Sequence, residues 1–325
     1  MELGKIYKHL NDLHFMVLED LIYPNKAERR PWEMFFFGLI YATIGAVLAL
    51  WIFRSQASMI MVLLTVVACI PLIYKTFKYE EYKDTQTSDE RLLLKEHWHA
   101  LSFLMYLFFG FIIAYAIFFI FLPQPTTEGL FNVQMATINQ INAKITGGSI
   151  AEGVLFKIFF NNFKVLLFTI LFAVFYGAGT IFILTWNASV IGAAIGDFVK
   201  QKVSEHIGYF TVLPLAVGRY MTHGFFEILA YFVGGLAGGI ISVAIINKDT
   251  QNEKFKIILK DSFDLFLIAI AILIIAAFIE VFVTPLIYSF DDAITLIIIS
   301  AITVLAIVMF ILIKKSKLSE SYLNR

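Results

Sequence analysis

Residues 219–246 read RYMTHGFFEILAYFVGGLAGGIISVAII. The run is apolar enough to span a bilayer, for which about 20 predominantly apolar residues suffice. Its first turns nevertheless carry Arg219, His223 and Glu227. Positions spaced i, i+4 and i+8 fall on one face of a helix. Ionisable groups at membrane depth are costly, and they face a bundle interior or a watery cavity. Further along, Gly234, Gly235, Gly238 and Gly239 leave bare backbone on which neighbouring helices close. A helix with charge at one end and glycine at the other sets the fold class and marks the best functional candidate in the chain.

The composition agrees. Of the 325 residues 59% are hydrophobic and only 15% charged, and mean hydropathy is +0.80. A soluble domain does not carry that balance, so the chain reads as a polytopic membrane protein. Formal net charge is zero, which gives nucleic-acid binding no electrostatic support. A single cysteine, Cys69, rules out an intrachain disulfide and a multi-cysteine metal site. No cleavable signal is visible before residue 31, so the first spanning helix is expected to act as the insertion signal.

Working outward, a basic segment at 247–262 follows the opening stretch, then two further spans at about 263–283 and 294–313 and a basic tail. Before it lies 187–218, interrupted by Asp197, Lys200, Lys202, Glu205, His206 and Pro214. A fourth span is expected at 163–186, containing Gly177 and Gly179. The polar segment 123–162 precedes it, with room for short amphipathic helices at about 131–145 and 150–162. The third span is 101–122. A charged segment, 75–99, separates it from a tight hairpin of spans at 32–53 and 58–74, joined by Arg54-Ser55-Gln56. His97 and His99 sit two apart, the wrong spacing for one helix face, so no metal is assigned to them. Residues 1–31 place Leu3, Ile6, Leu10, Leu13 and Val17 at helical spacing and read as an amphipathic helix on the membrane surface.

Basic residues cluster in the N-terminal arm, in 75–99, in 247–262 and in the tail. The positive-inside rule puts these four regions, and both termini, in the cytoplasm. A fourth span ending near Asn187 then forces 187–218 to cross the membrane. Its polar residues preclude one ordinary helix, so two half-helices at about 188–200 and 207–218 are expected, with a polar kink between them. A re-entrant or interfacial pair is the simpler alternative.

The second half resembles the stage II sporulation protein M family of integral membrane proteins. Asn161-Asn162 is similar to the paired asparagines before a span in that family. Gly177, Gly179-Thr180, Asn187 and Gly192 resemble further elements, His223-Gly224 with Glu227 matches His-Gly-x-x-Glu, and the Gly234–Gly239 run follows. AAFIEVFVTP, residues 276–285, matches the family's Ala-Ala…Ile-Glu-x-Phe-x-Thr-Pro ending. The resemblance spans roughly 155–290, with Ala188 in place of a glycine and Thr222 in place of a proline. It implies a membrane-embedded, non-catalytic protein; sporulating members act with peptidoglycan-remodelling partners during engulfment.

His223 and Glu227, one turn apart, suit a polar network, a proton path or two metal ligands. Metal is the weakest of these, since no His-Glu-x-x-His motif is present and another ligand would have to come from Asp197, His206 or Glu280. No catalytic motif or phosphate loop is found. The expectation is therefore an all-α polytopic helical bundle of about seven full spans plus one broken or re-entrant segment. It divides into 1–124, a three-span region behind the amphipathic helix, and 125–325, the family-like domain. Its polar core comprises Arg219, His223, Glu227, Asn161, Asn162, Asn187, Asp197 and Glu280. Gly177, Gly179, Gly192, Gly224, Gly234, Gly235 and Gly238 serve helix packing. Neither enzymatic activity, cofactor nor metal is expected. The anticipated partners are the lipid bilayer and either copies of itself or a membrane complex, with no nucleic acid. A scaffold or assembly role is favoured, with a transporter, channel or lipid-handling pathway as the alternative.

Overall fold

A computed structural model describes residues 30–84, 90–145, 151–173, 178–205, 208–246, 253–288, 294, 295 and 297. All regular structure among them is helical: α1 (Glu33–Ile52), α2 (Ala57–Asp84), α3 (Glu90–Phe121), α4 (Gln124–Ile145), α5 (Ala151–Ala173), α6 (Ala178–Ser204), α7 (Tyr209–Ile246) and α8 (Glu253–Phe278). A π-helical turn, Ile279–Val283, continues α8 into α9 (Thr284–Tyr288). Seven of these segments are long and apolar enough to cross a membrane.

The N-terminal hairpin is built on small side chains. Along α1 the buried positions are Met34, Gly38, Ala42, Gly45, Ala46 and Ala49, a stripe with little beyond Cβ. It lets the α1 backbone reach α3, where Gly38 and Gly110 meet with no room for a side chain on either. Without a hydrophobic drive between helices in lipid, such close van der Waals approach is what joins them. Gly192 and Gly196 do the same for α6, against Tyr115 and Phe119 of α3. One polar bond reinforces this core, between Thr65 Oγ1 and Tyr115 Oη at 3.1 Å.

α7 is the central post: 83% of the apolar 18-residue stretch within Gly224–Ile245 is buried. Its glycines are shared among its neighbours. Gly234 lies against Leu166 and Gly238 against Ile170 and Ala173 of α5, Gly235 against Thr180 of α6, and Gly239 against the Phe77 ring of α2. Gly179 fits beside Phe172 where α5 and α6 meet. Gly224 differs: it is buried, yet among the described residues a Cβ there would meet nothing within 4 Å, so no close helix contact is seen at that position. Gly177 lies outside the described residues.

The order of spans corrects the expectation for the middle of the chain. The apolar run 163–186 is not one span, and the helix expected at 150–162 is the first half of α5. α5 ends at Ala173 and is about 34 Å long, enough for a bilayer, and α6 starts at Ala178 and lies beside it, with Thr180 Oγ1 donating to the Thr169 carbonyl at 3.5 Å. The segment 187–218 is likewise not a pair of half-helices. Its first half completes α6, including Asp197 and Lys200, and its second half opens α7, with Pro214 inside the helix. Of the span expected at 294–313, only residues 294, 295 and 297 are described.

α4 is too polar to cross and is tied in by one amide. Ser58 Oγ donates to Gln134 Oε1 at 2.6 Å, while Gln134 Nε2 donates to Ser58 O at 3.3 Å and Ser189 Oγ at 3.2 Å. Gln134 is wholly buried, and a buried amide keeps its place by satisfying its donors and acceptors. It links α4 to α2 and α6.

Candidate functional site

Three elements bring polar groups together in the spanning part of the bundle. α5 supplies Asn162, α7 supplies Glu227, and the π-helical turn supplies Glu280. Asn162 Nδ2 donates to Glu227 Oε1, and the Glu280 carboxyl lies near enough to Glu227 for the two to interact electrostatically. Tyr231, one turn after Glu227 and 2% exposed, walls the pair on the α7 side.

The local sequence explains how Glu280 arrives there. In IEVFVTP the Thr284 N–H reaches back to the Ile279 carbonyl, closing the wide turn, and the Thr284 hydroxyl donates to the same oxygen at 3.1 Å. Pro285 follows with no N–H to offer. The inserted residue rotates the end of the helix relative to a regular α-helix, and such π-turns concentrate at functional positions. Contacts of this turn with both α5 and α7 place Glu280 opposite Glu227.

Arg219, Asn187 and Asp197 of the expected polar core lie elsewhere. Arg219 is exposed, and its guanidinium lies over the Phe198 ring of α6, 5.5 Å from the centroid. Sharing a helix face with Glu227 does not bring it close, since two turns separate them by about 12 Å along the axis. Asn187 returns its amide to its own helix, donating to Ile183 O at 2.7 Å. Asp197 accepts from Gln201 Nε2 one turn on, at 2.7 Å. Asn161 is exposed and donates to Asn162 Oδ1 at 3.4 Å, so it borders the centre through its neighbour. The His223 side chain lies outside the described residues. Among the described residues, no group of three or more His, Cys, Asp or Glu side chains is disposed to hold a metal ion.

A groove of about 460 Å³ opens between α1 and α3, lined by Trp32, Phe35, Phe36, Tyr106, Phe109 and Ile113. None of its walls comes from α5, α7 or α8, so it does not lead to Glu227.

Compared with known proteins, residues 99–285 match the family profile described as Stage II sporulation protein M. The chain belongs to that family. Asn162, Glu227 and Glu280 all lie inside the matched region, and α1 and α2 precede it. An uncharacterized protein of Methanocaldococcus jannaschii is 32% identical over 128 residues, covering 38% of this chain and 67% of the relative. No solved structure matches. With its seven apolar helices, the chain is a multi-pass membrane protein of the stage II sporulation protein M family.

Sequence reasoning missed a second buried group, His97 with Glu80 and Asp261. His97 Nδ1 is 2.8 Å from Glu80 Oε2 and Nε2 is 3.0 Å from Asp261 Oδ2. All three residues sit in segments whose mixed charge reads as solvated surface, which hides them from a hydropathy argument.

Proposed function

We propose that this chain is a non-catalytic membrane scaffold or assembly factor, working as a homo-oligomer or within a membrane complex that remodels the envelope or membrane. The observation that carries this reading is the contrast between the two sides of α5. Inward, Asn162 is engaged with Glu227. Outward, only 17% of the spanning window of α5 is buried. Phe156, Phe160, Phe168 and Phe172 stand exposed there, in register with the exposed Lys164. Side chains four residues apart form the ridge that a second helix packs against, and aromatic groups supply most of the contact area at such interfaces. In the same reading the protein sits in the cell membrane with both termini cytoplasmic and needs no cofactor.

The test is cysteine crosslinking in native membranes. Single cysteines at Phe160 and Phe168 should crosslink to a second copy or to one membrane partner, while a cysteine at Ile113, on the α1–α3 groove, should not. Absence of any crosslink from α5, in a protein that stays monomeric in nanodiscs, removes the scaffold reading.

A transport, channel or lipid-handling pathway past Arg219, His223 and Glu227 is the second reading, favoured by the carboxyl pair. In reconstituted vesicles Glu227→Gln would abolish proton-coupled flux, whereas the scaffold reading expects complex formation to survive that change.

A further inference from the structure

The His97 group stands apart from the Glu227 centre. Asp261 and Glu280 lie on one nearly continuous helix, about 28 Å apart at 1.5 Å per residue, so the two groups occupy opposite ends of the bundle. His97 and Glu80 are 1% and 0% exposed, and the Asp261 side chain is 11% exposed. The three side chains come from α3, α2 and α8.

Each ring nitrogen faces a carboxylate oxygen. A neutral imidazole has one N–H and one lone pair, whereas the imidazolium has two N–H groups. The neutral ring therefore satisfies one carboxylate and turns a lone pair on the other. Only the doubly protonated ring donates to both. Elsewhere α8 packs chiefly on α7, and its contacts with α2 are few. The imidazole joins the start of α8 to α2 and α3.

We infer that His97 is a proton-operated latch: the imidazolium ties α2 and α3 to α8, and loss of its proton frees one carboxylate and loosens the start of α8. Glu80 and His97 precede the family-matched region and Asp261 lies inside it, so the latch couples the N-terminal hairpin to the family domain. Other ionisable groups at this level are Lys78 and Glu81 on α2 and Lys256, Lys260 and Asp264 on α8. His99 on α3 is exposed, and α7 brings none over Gly239–Ile246.

The test is hydrogen exchange on the full-length protein in phospholipid nanodiscs between about pH 5 and pH 9, the range in which imidazole titrates, with rates corrected for intrinsic exchange. Amides of residues 255–264 should exchange about tenfold faster or more once the ring is neutral, as expected for losing a buried bond to a charged group. Amides of 230–244 in α7 should not change. His97→Gln should exchange fast at every pH. Asp261→Asn is the decisive variant: its amide N–H₂ can donate to the lone pair of a neutral imidazole while the other ring nitrogen serves Glu80. It should stay protected at high pH and lose the pH dependence. Should His97→Gln not fold, Asp261→Asn carries the test alone. Native protection that is flat with pH, or an Asp261→Asn protein as pH-dependent as the native one, overturns the latch.

Discussion

A carboxyl group inside an apolar bundle keeps its place through its hydrogen bonds, since an unpaired one bears the full loss of hydration. Glu227 accepts from Asn162, and the Glu280 carboxyl lies nearby. Glu227→Gln retains a carbonyl oxygen for Asn162 and gains an N–H₂ to donate to Glu280, so stability should change by less than about 1 kcal/mol. Glu227→Ala removes the acceptor of the Asn162 amide N–H₂ and leaves that donor unsatisfied, at about 1–3 kcal/mol. Denaturant titration in detergent separates the two; equal losses would mean that these bonds do not hold the site. Asn162, Glu227 and Glu280 were legible in the sequence because each interrupts an apolar run, where a polar residue needs a reason. Arg219, Asn187 and Asp197 carried the same signal yet found partners elsewhere, because helical phase says nothing of depth or of which neighbour is in reach. His97, Glu80 and Asp261 were illegible for the opposite reason. Their contacts span 17 and 164 residues, and no local pattern encodes so distant a pairing.

Glycine positions show how much of an element's packing its sequence discloses. The Gly234–Gly239 run was readable as a contact surface, and α7 presents it to α5, α6 and α2. Gly224 belongs to the same helix and reads no differently, but among the described residues nothing lies within 4 Å of where its Cβ would be. The two should answer oppositely to alanine. At Gly238 a Cβ would lie 2.7 Å from the Ile170 carbonyl oxygen and 2.8 Å from the Ala173 Cβ. Backbone cannot swing aside as a flexible side chain does, so Gly238→Ala should cost about 1–3 kcal/mol through overpacking. Gly224→Ala meets no neighbour and gains helix propensity, so it should be neutral or stabilising by up to about 1 kcal/mol. Thermal unfolding of both variants in one detergent checks the sign of each. The break between α5 and α6 was hidden for a related reason. Hydropathy runs on unbroken from 163 to 186, and it is contacts such as Thr180 with the Thr169 carbonyl that show α5 and α6 to be separate, neighbouring helices.

For the whole molecule, the boundaries of α5, α6 and α7 decide the parity of the chain. Read as one span plus a broken segment, the middle region demanded an awkward crossing by 187–218. Read as three consecutive passes, α5, α6 and α7 need none. The basic segments 75–99 and 247–262 then share a side, which we propose from the positive-inside rule to be the cytoplasmic one. In that arrangement the 54–56 turn, α4, the end of α6 and the start of α7 belong to the other side. Lys200 Nζ, bonded at 3.3 Å to the Leu122 carbonyl at the end of α3, ties the end of α6 to the same level as the start of α4. Single cysteines at Ser55, Glu128 and Glu205 should therefore react with an impermeant maleimide in intact cells, and one at Lys256 only after permeabilisation. The native Cys69 is buried and supplies a quiet background. Glu205 discriminates most sharply, because a re-entrant 187–218 would leave the ends of that segment on one face and reverse the side from which α7 starts. Labelling of Glu205→Cys together with Lys256→Cys from the same side would break the alternation of α6, α7 and α8, and the cytoplasmic assignment of both termini would go with it.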